Sequence, residues 1–116
     1  MTDIDETRTV VRNDEARRYE IFVGDVMGGY TEFLPGPKGR LIFPHTEIDH
    51  AYRGRGLSGD LFEGAMADAA ARGDTVEPTC PALRRWLRKN KVPGLEVMWP
   101  LWARDDVDGG GAPASP

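Results

Sequence analysis

The sequence predicts a single α/β domain with a mixed, mostly antiparallel sheet, one parallel strand–helix–strand unit and two main helices. Three observations carry that expectation. Apolar residues alternate in several runs between residues 19 and 49, the pattern of strands with one buried face. After residue 56 the period lengthens, with Leu57, Leu61, Ala65 and Ala69 at i, i+4 spacing. A strand, a helix and a second strand then follow within about 40 residues, which implies a parallel pair joined by a crossover.

Each element has a local reason. Residues 1–9 are polar and mixed in charge, and read as a flexible N-terminus before a domain at residues 10–104. A short strand around Val10-Val11-Arg12 opens that domain. Tyr19, Ile21 and Val23 alternate with Glu20 and Phe22, and Gly24-Asp25 turns the chain into a second strand from Val26 to Leu34. Pro35-Gly36-Pro37-Lys38-Gly39 is turn chemistry almost throughout. Arg40 to Asp49 reads as one further strand, with Pro44 suited to a bulge or an edge because it lacks an N–H donor.

The helix beginning at Leu57 also carries Phe62 and Met66, and Arg72-Gly73-Asp74 ends it. Thr75 to Pro78 is a short strand. Pro81 suits the first turn of a second helix, running to about Asn90, with Trp86 and Leu87 packing it onto the sheet. Trp99 and Trp102 cover a sheet edge or form a dimer contact. Residues 105–116, rich in Asp, Gly and Pro, read as a disordered tail.

Composition narrows the function classes. With 116 residues there is room for one core, and 40% hydrophobic with 29% charged residues argues against both disorder and a membrane span. A formal charge of −4 gives nucleic acid no global electrostatic reason to bind. One cysteine makes no internal disulfide, and the acidic opening Met1-Thr2-Asp3 lacks the basic start of a signal peptide. The expectation is a cytoplasmic domain, a monomer or weak dimer, with no metal.

The sharpest local signal is Tyr52-Arg53-Gly54-Arg55-Gly56-Leu57-Ser58-Gly59, where a strand gives way to a helix. Two glycines allow a tight turn and a close approach, and a helix start offers unpaired N–H groups and a positive dipole end to an anion. Arg53 and Arg55 add positive charge. The loop is neither a Walker A loop, since no Gly-Lys-Ser/Thr follows, nor the dinucleotide fingerprint, whose glycine spacing differs.

Arg53-x-x-Gly56-x-Ser58, after Thr46-Glu47-Ile48-Asp49, resembles the acetyl-CoA pyrophosphate loop of GNAT N-acetyltransferases, with Ser58 departing from the usual Gly/Ala. His45-Thr46-Glu47-Ile48, the Gly-Arg-Gly loop and Pro78-Thr79-Cys80 occur in the order seen in a small stand-alone GNAT branch. The resemblance covers roughly residues 10 to 90. It implies acetyl transfer from acetyl-CoA to an amine, either a small amine or a protein amino group. It also implies that the backbone of Thr46, Glu47 and Ile48 pairs with the pantetheine arm. Amides from Arg53, Gly54, Arg55, Gly56, Leu57 and Ser58, with Gly59 following, would surround the pyrophosphate. The strands holding Ile48 and Val76 would splay to open the cleft.

Acetyl transfer needs an amine deprotonated, a thioester oxygen polarised and a thiolate stabilised on departure. His45 and Glu47 are two apart on a strand and share a face, so either is placed to take the amine proton. Histidine has the better intrinsic pKa, while glutamate needs desolvation. Cys80, directly before Pro81, falls at the N-cap of the second helix, a position that lowers a thiol pKa and partly exposes it. The resemblance places Cys80 beside the CoA sulfur, as general acid or as transient acetyl acceptor. Arg84, Arg85, Arg88, Lys89 and Lys91 form a basic cluster, either a solvated helix face or a patch for the CoA 3′-phosphate, with Arg88 and Lys89 foremost. The alternatives are a CoA-binding or interaction module without transfer, and a basic-helix nucleic-acid binder, disfavoured because no aromatic stacking platform accompanies the charges.

Overall fold

A computed structural model of the chain describes residues 7–100 and Trp102, so the tail expected at 105–116 and the first six residues of the expected flexible N-terminus lie outside the described residues. β1 (Arg8–Asn13), β2 (Arg18–Val23) and β3 (Val26–Glu32) form an antiparallel meander. Its second turn is the Gly24-Asp25 hairpin, with Gly24 at φ 59°. β4 (Leu34–Pro35), β5 (Leu41–Phe43) and β6 (Thr46–Ile48) follow. Then come α1 (Leu57–Arg72), β7 (Thr75–Pro78), α2 (Pro81–Lys89) and β8 (Glu96–Val97). One sheet has the order β1-β2-β3-β6 and the other β4-β5-β7-β8. The β5–β7 pair is parallel, as the strand–helix–strand spacing requires.

Three strands differ from the sequence reading. β1 starts at Arg8, so Arg8 and Thr9 belong to the sheet and pair with Val23 and Phe22. Polar side chains on both residues hid that part of the strand. The single strand expected over Arg40–Asp49 is two strands, β5 and β6, in different sheets. Pro44 lacks the donor needed to continue the ladder, and the chain changes partner there. The run from Val26 divides likewise: β3 ends at Glu32 and Leu34-Pro35 pairs with β5. The two crossing points are stitched together, because the Glu32 amide donates to the His45 carbonyl at 2.8 Å.

The consequence is a divergence. β6 follows β3, while β7 stays beside β5 as far as Phe43 and Pro78. The Phe43 carbonyl then accepts from the amides of Thr79 and Cys80, at 3.2 and 2.8 Å, which ends the pairing. Beyond that point β6 and the start of α2 are no longer neighbours in a ladder.

α1 buries the stripe its spacing predicts: Leu57, Leu61, Phe62, Ala65, Met66 and Ala69. They meet Tyr19, Ile21, Phe33, Phe43, Val76 and Leu83 in one core. Each large apolar side chain buried there contributes roughly 1.5–3 kcal/mol. Gly73, at φ 78°, ends the helix with its amide turned back to the Ala69 and Ala70 carbonyls. Trp86 leans on Phe62 at 6.1 Å between ring centroids, fixing α2 against α1. Arg84 departs from the expected basic face. It is 9% exposed, with Nη1 donating to the Thr79 carbonyl at 2.8 Å and its guanidinium 4.5 Å from the Trp102 ring. Among the described residues no helix is long and apolar enough to cross a membrane.

Candidate active site

The turn after β6 starts as a short 3₁₀ segment, His50–Tyr52, capped by the Asp49 carboxylate accepting from the Ala51 amide at 2.9 Å. Gly54 and Gly56 follow at φ 78° and 77°, a region that L side chains rarely enter. Gly56 is the N-cap of α1, and no side chain caps that helix start. Its first amides therefore face outward with the positive end of the helix dipole behind them. The Arg53 and Arg55 amides are committed within the loop, donating to the His50 and Tyr52 carbonyls at 3.3 Å each.

This loop, β6 and α2 enclose a cleft of about 340 Å³. β6 lines it with Thr46, Glu47 and Ile48, and the loop and helix start with Arg53, Gly54, Gly56, Leu57 and Ser58. Tyr52, which opens the glycine-loop motif, and Ala82, which no sequence signal picked out, complete the lining. β6 is the edge of its sheet, so its cleft side carries backbone groups with no neighbouring strand. Arg53 Nε donates to the Ile48 carbonyl at 3.2 Å, while Arg53 Nη2 lies 3.9 Å from Glu47 Oε2. The Arg55 guanidinium lies over the Tyr52 ring at 5.3 Å, outside the cleft lining.

Gly29 lets β6 approach β3 closely, and Gly28 makes room for Tyr52 and for Leu57 at the start of α1. The β2–β3 register slips between Ile21 and Phe22, a bulge at Gly28. A Cβ on Gly28 would lie 2.6 Å from Leu57 Cδ2, and one on Gly29 would lie 2.7 Å from the Glu47 carbonyl oxygen. Two adjacent glycines inside a strand were the available signal for these contacts.

His45 and Glu47 share the outer face, as their spacing requires. His45 Nε2 and Glu47 Oε1 are 2.6 Å apart, both side chains about half exposed, and the Tyr30 ring stands edge-on to His45. Glu47 reaches the cleft and His45 does not line it.

Cys80 is the N-cap of α2, where its place before Pro81 puts it, but it is 4% exposed rather than partly open. Its Sγ lies 3.3 Å from Thr46 Oγ1, which in turn lies 2.9 Å from the fully buried Thr31 Oγ1. Thr31 donates to the His45 carbonyl at 3.5 Å. Thr46 Oγ1 thus stands between the Cys80 sulfur and the Thr31 hydroxyl, within hydrogen-bond reach of both. The thiol meets the cleft through Thr46, one layer below its surface.

A second groove of about 250 Å³ continues past Ser58 and Ala82. Arg85, Trp86 and Lys89 line it from one face of α2, and Gly59 from the start of α1. Arg88 is exposed but lines neither groove, so the cation beside Lys89 is Arg85.

A profile of GCN5-related N-acetyl-transferases matches residues 18–93, more than half of the chain. The chain belongs to that family, and its domain is of the acyl-transfer type. No protein of curated function matches it.

Proposed function

We propose that the chain binds acetyl-CoA in the cleft between β6 and α2 and transfers the acetyl group to an amine, acting in the cytoplasm. One observation carries this reading. The edge strand β6, two positive-φ glycines and an uncapped helix start line a single cleft, which suits a ligand with a peptide-like arm and an anionic pyrophosphate. The Thr46–Ile48 backbone pairs with the amide-bearing arm. The amides of Gly54, Gly56, Leu57 and Ser58 meet the pyrophosphate, with Arg53 and Arg55 supplying positive charge. Lys89 and Arg85 then lie along the groove where a 3′-phosphate would extend.

In this reading Glu47, backed by His45, accepts the proton of the incoming amine. The Thr46 hydroxyl, which lines the cleft, passes a proton to the departing thiolate and takes one in turn from the Cys80 thiol beneath it. The acceptor is a small amine or a protein amino group reaching an open cleft. Incubation with acetyl-CoA and a panel of amines and peptides, followed by mass spectrometry, tests transfer. Acetylated acceptor is the expected product, and Cys80→Ala should slow its formation by about 10²-fold while CoA still binds.

A second reading, a CoA-binding module without efficient transfer, draws on the burial of Cys80 beneath Thr46. CoA binding with no acetylated product across the panel would favour it. The nucleic-acid reading weakens, because the buried Arg84 leaves the basic cluster.

A further inference from the structure

Arg8 stands in β1, outside the matched residues 18–93, yet its side chain reaches the glycine loop. Arg8 Nη1 lies 2.5 Å from Asp60 Oδ2, and Nη2 donates to the Arg55 carbonyl at 3.2 Å. One guanidinium fork thus grips the first turn of α1 and the middle of the loop together. The Arg8 side chain is 27% exposed, so the fork is partly shielded from water.

We propose that Arg8 is a positioning residue for the anion site, holding the loop in its ligand-ready form and neutralising Asp60. This rests on the reading of the loop as the pyrophosphate cradle. Two physical needs meet in the one side chain. The loop turns through two glycines, Gly54 and Gly56, whose wide conformational freedom must be restrained if the amides are to stay aimed. A guanidinium donor on the intervening Arg55 carbonyl supplies that restraint, and its planar fork suits two acceptors at once. Asp60, in the first turn of α1, favours the helix dipole but puts a negative charge one turn from the helix start whose amides would meet an anion, outside the cleft lining itself. Pairing with Arg8 cancels that charge.

Calorimetry with CoA on the full chain tests this, together with amide hydrogen exchange across residues 53–58. Arg8→Gln should weaken CoA by about threefold to tenfold and speed exchange of the unliganded loop. Adding Asp60→Asn to Arg8→Gln should recover part of that affinity, since the repelling charge goes, but not the slow exchange, since the Arg55 tether stays lost. Arg8→Lys keeps the charge without the fork and should lie between wild type and Arg8→Gln. It also keeps the test alive if Arg8→Gln folds poorly.

Undiminished CoA affinity in folded Arg8→Gln, with only a lower melting temperature, would make Arg8 a plain β1–α1 staple and overturn the proposal. Equal exchange rates in wild type and Arg8→Gln would also overturn it. Failure of the wild-type chain to bind CoA would instead remove the cradle reading, and the clamp with it.

Discussion

Tyr19 shows what a single buried side chain does here. Its ring packs against Phe33 and Phe43, and its hydroxyl donates to Asp68 Oδ2 at 2.7 Å. Burial, then the bond to Asp68, raises its pKa from 10.0 to about 12. Burial pushes Asp68 up, but hydrogen bonds from Tyr19 and Arg72 outweigh it and hold the carboxylate below its usual range. The linkage has a definite sign. The folded state keeps the Tyr19 proton that the unfolded chain loses near pH 10, so this stabilisation is complete below pH 10 and is lost as pH rises to about 12. Urea titrations at pH 8 and pH 11 should show lower stability at pH 11, and Tyr19→Phe should flatten the difference. Asp68 acts at the other end: its contribution is present above the normal carboxylate pKa and falls away in acid. At the same scale, the place of Cys80 was legible because Pro81 follows it. Its burial was not, because that depends on Thr46 and Thr31 arriving from two other strands.

Among the elements, helices were the most legible and strand boundaries the least. The stripe of α1 is a local period and needs no partner to be recognised. The division of Arg40–Asp49 depends on which strand each half pairs with, and Pro44 alone hinted at it. The close approaches of β6 and of the start of α1 to β3 were written in Gly29 and Gly28, a pair that reads as two weak strand residues until the contacts are seen. Gly29→Ala would drive a Cβ to 2.6 Å from Ile48 Cδ1 and 2.7 Å from the Glu47 carbonyl, so β6 must move. A loss of about 1–3 kcal/mol in stability is expected from such overpacking, read by urea titration, with weaker CoA binding alongside. For α2, periodicity assigns Ala82, Arg85, Trp86 and Lys89 to the groove face and turns Arg88 away. Arg85→Glu with Lys89→Glu should therefore weaken CoA more than dephospho-CoA, while Arg88→Glu should discriminate little between them. Equal losses for both ligands in the double variant would reduce these residues to general attraction.

The whole molecule makes its cleft by letting a twisted sheet part in two. β3 and β6 leave with one sheet, β4, β5 and β7 with the other, and the Gly54–Gly56 loop closes the gap at the start of α1. The sequence carried this outline in three separated pieces, namely His45 to Ile48, Arg53 to Ser58 and Pro78 to Cys80. What it hid were the contributors from elsewhere: Ala82 in the cleft wall, Thr31 beneath it and Arg8 behind the loop. None of these carries a local pattern, because each is brought to the site by sheet register or helix packing. The central claim is that the glycine loop and helix start hold the CoA pyrophosphate. Calorimetric titration of CoA into the wild-type chain and into Gly56→Glu tests it most directly, with circular dichroism as the check on folding. Wild type should bind, and folded Gly56→Glu, which adds bulk and negative charge at the helix N-cap, should lose that binding. Equal affinity in both would contradict the account.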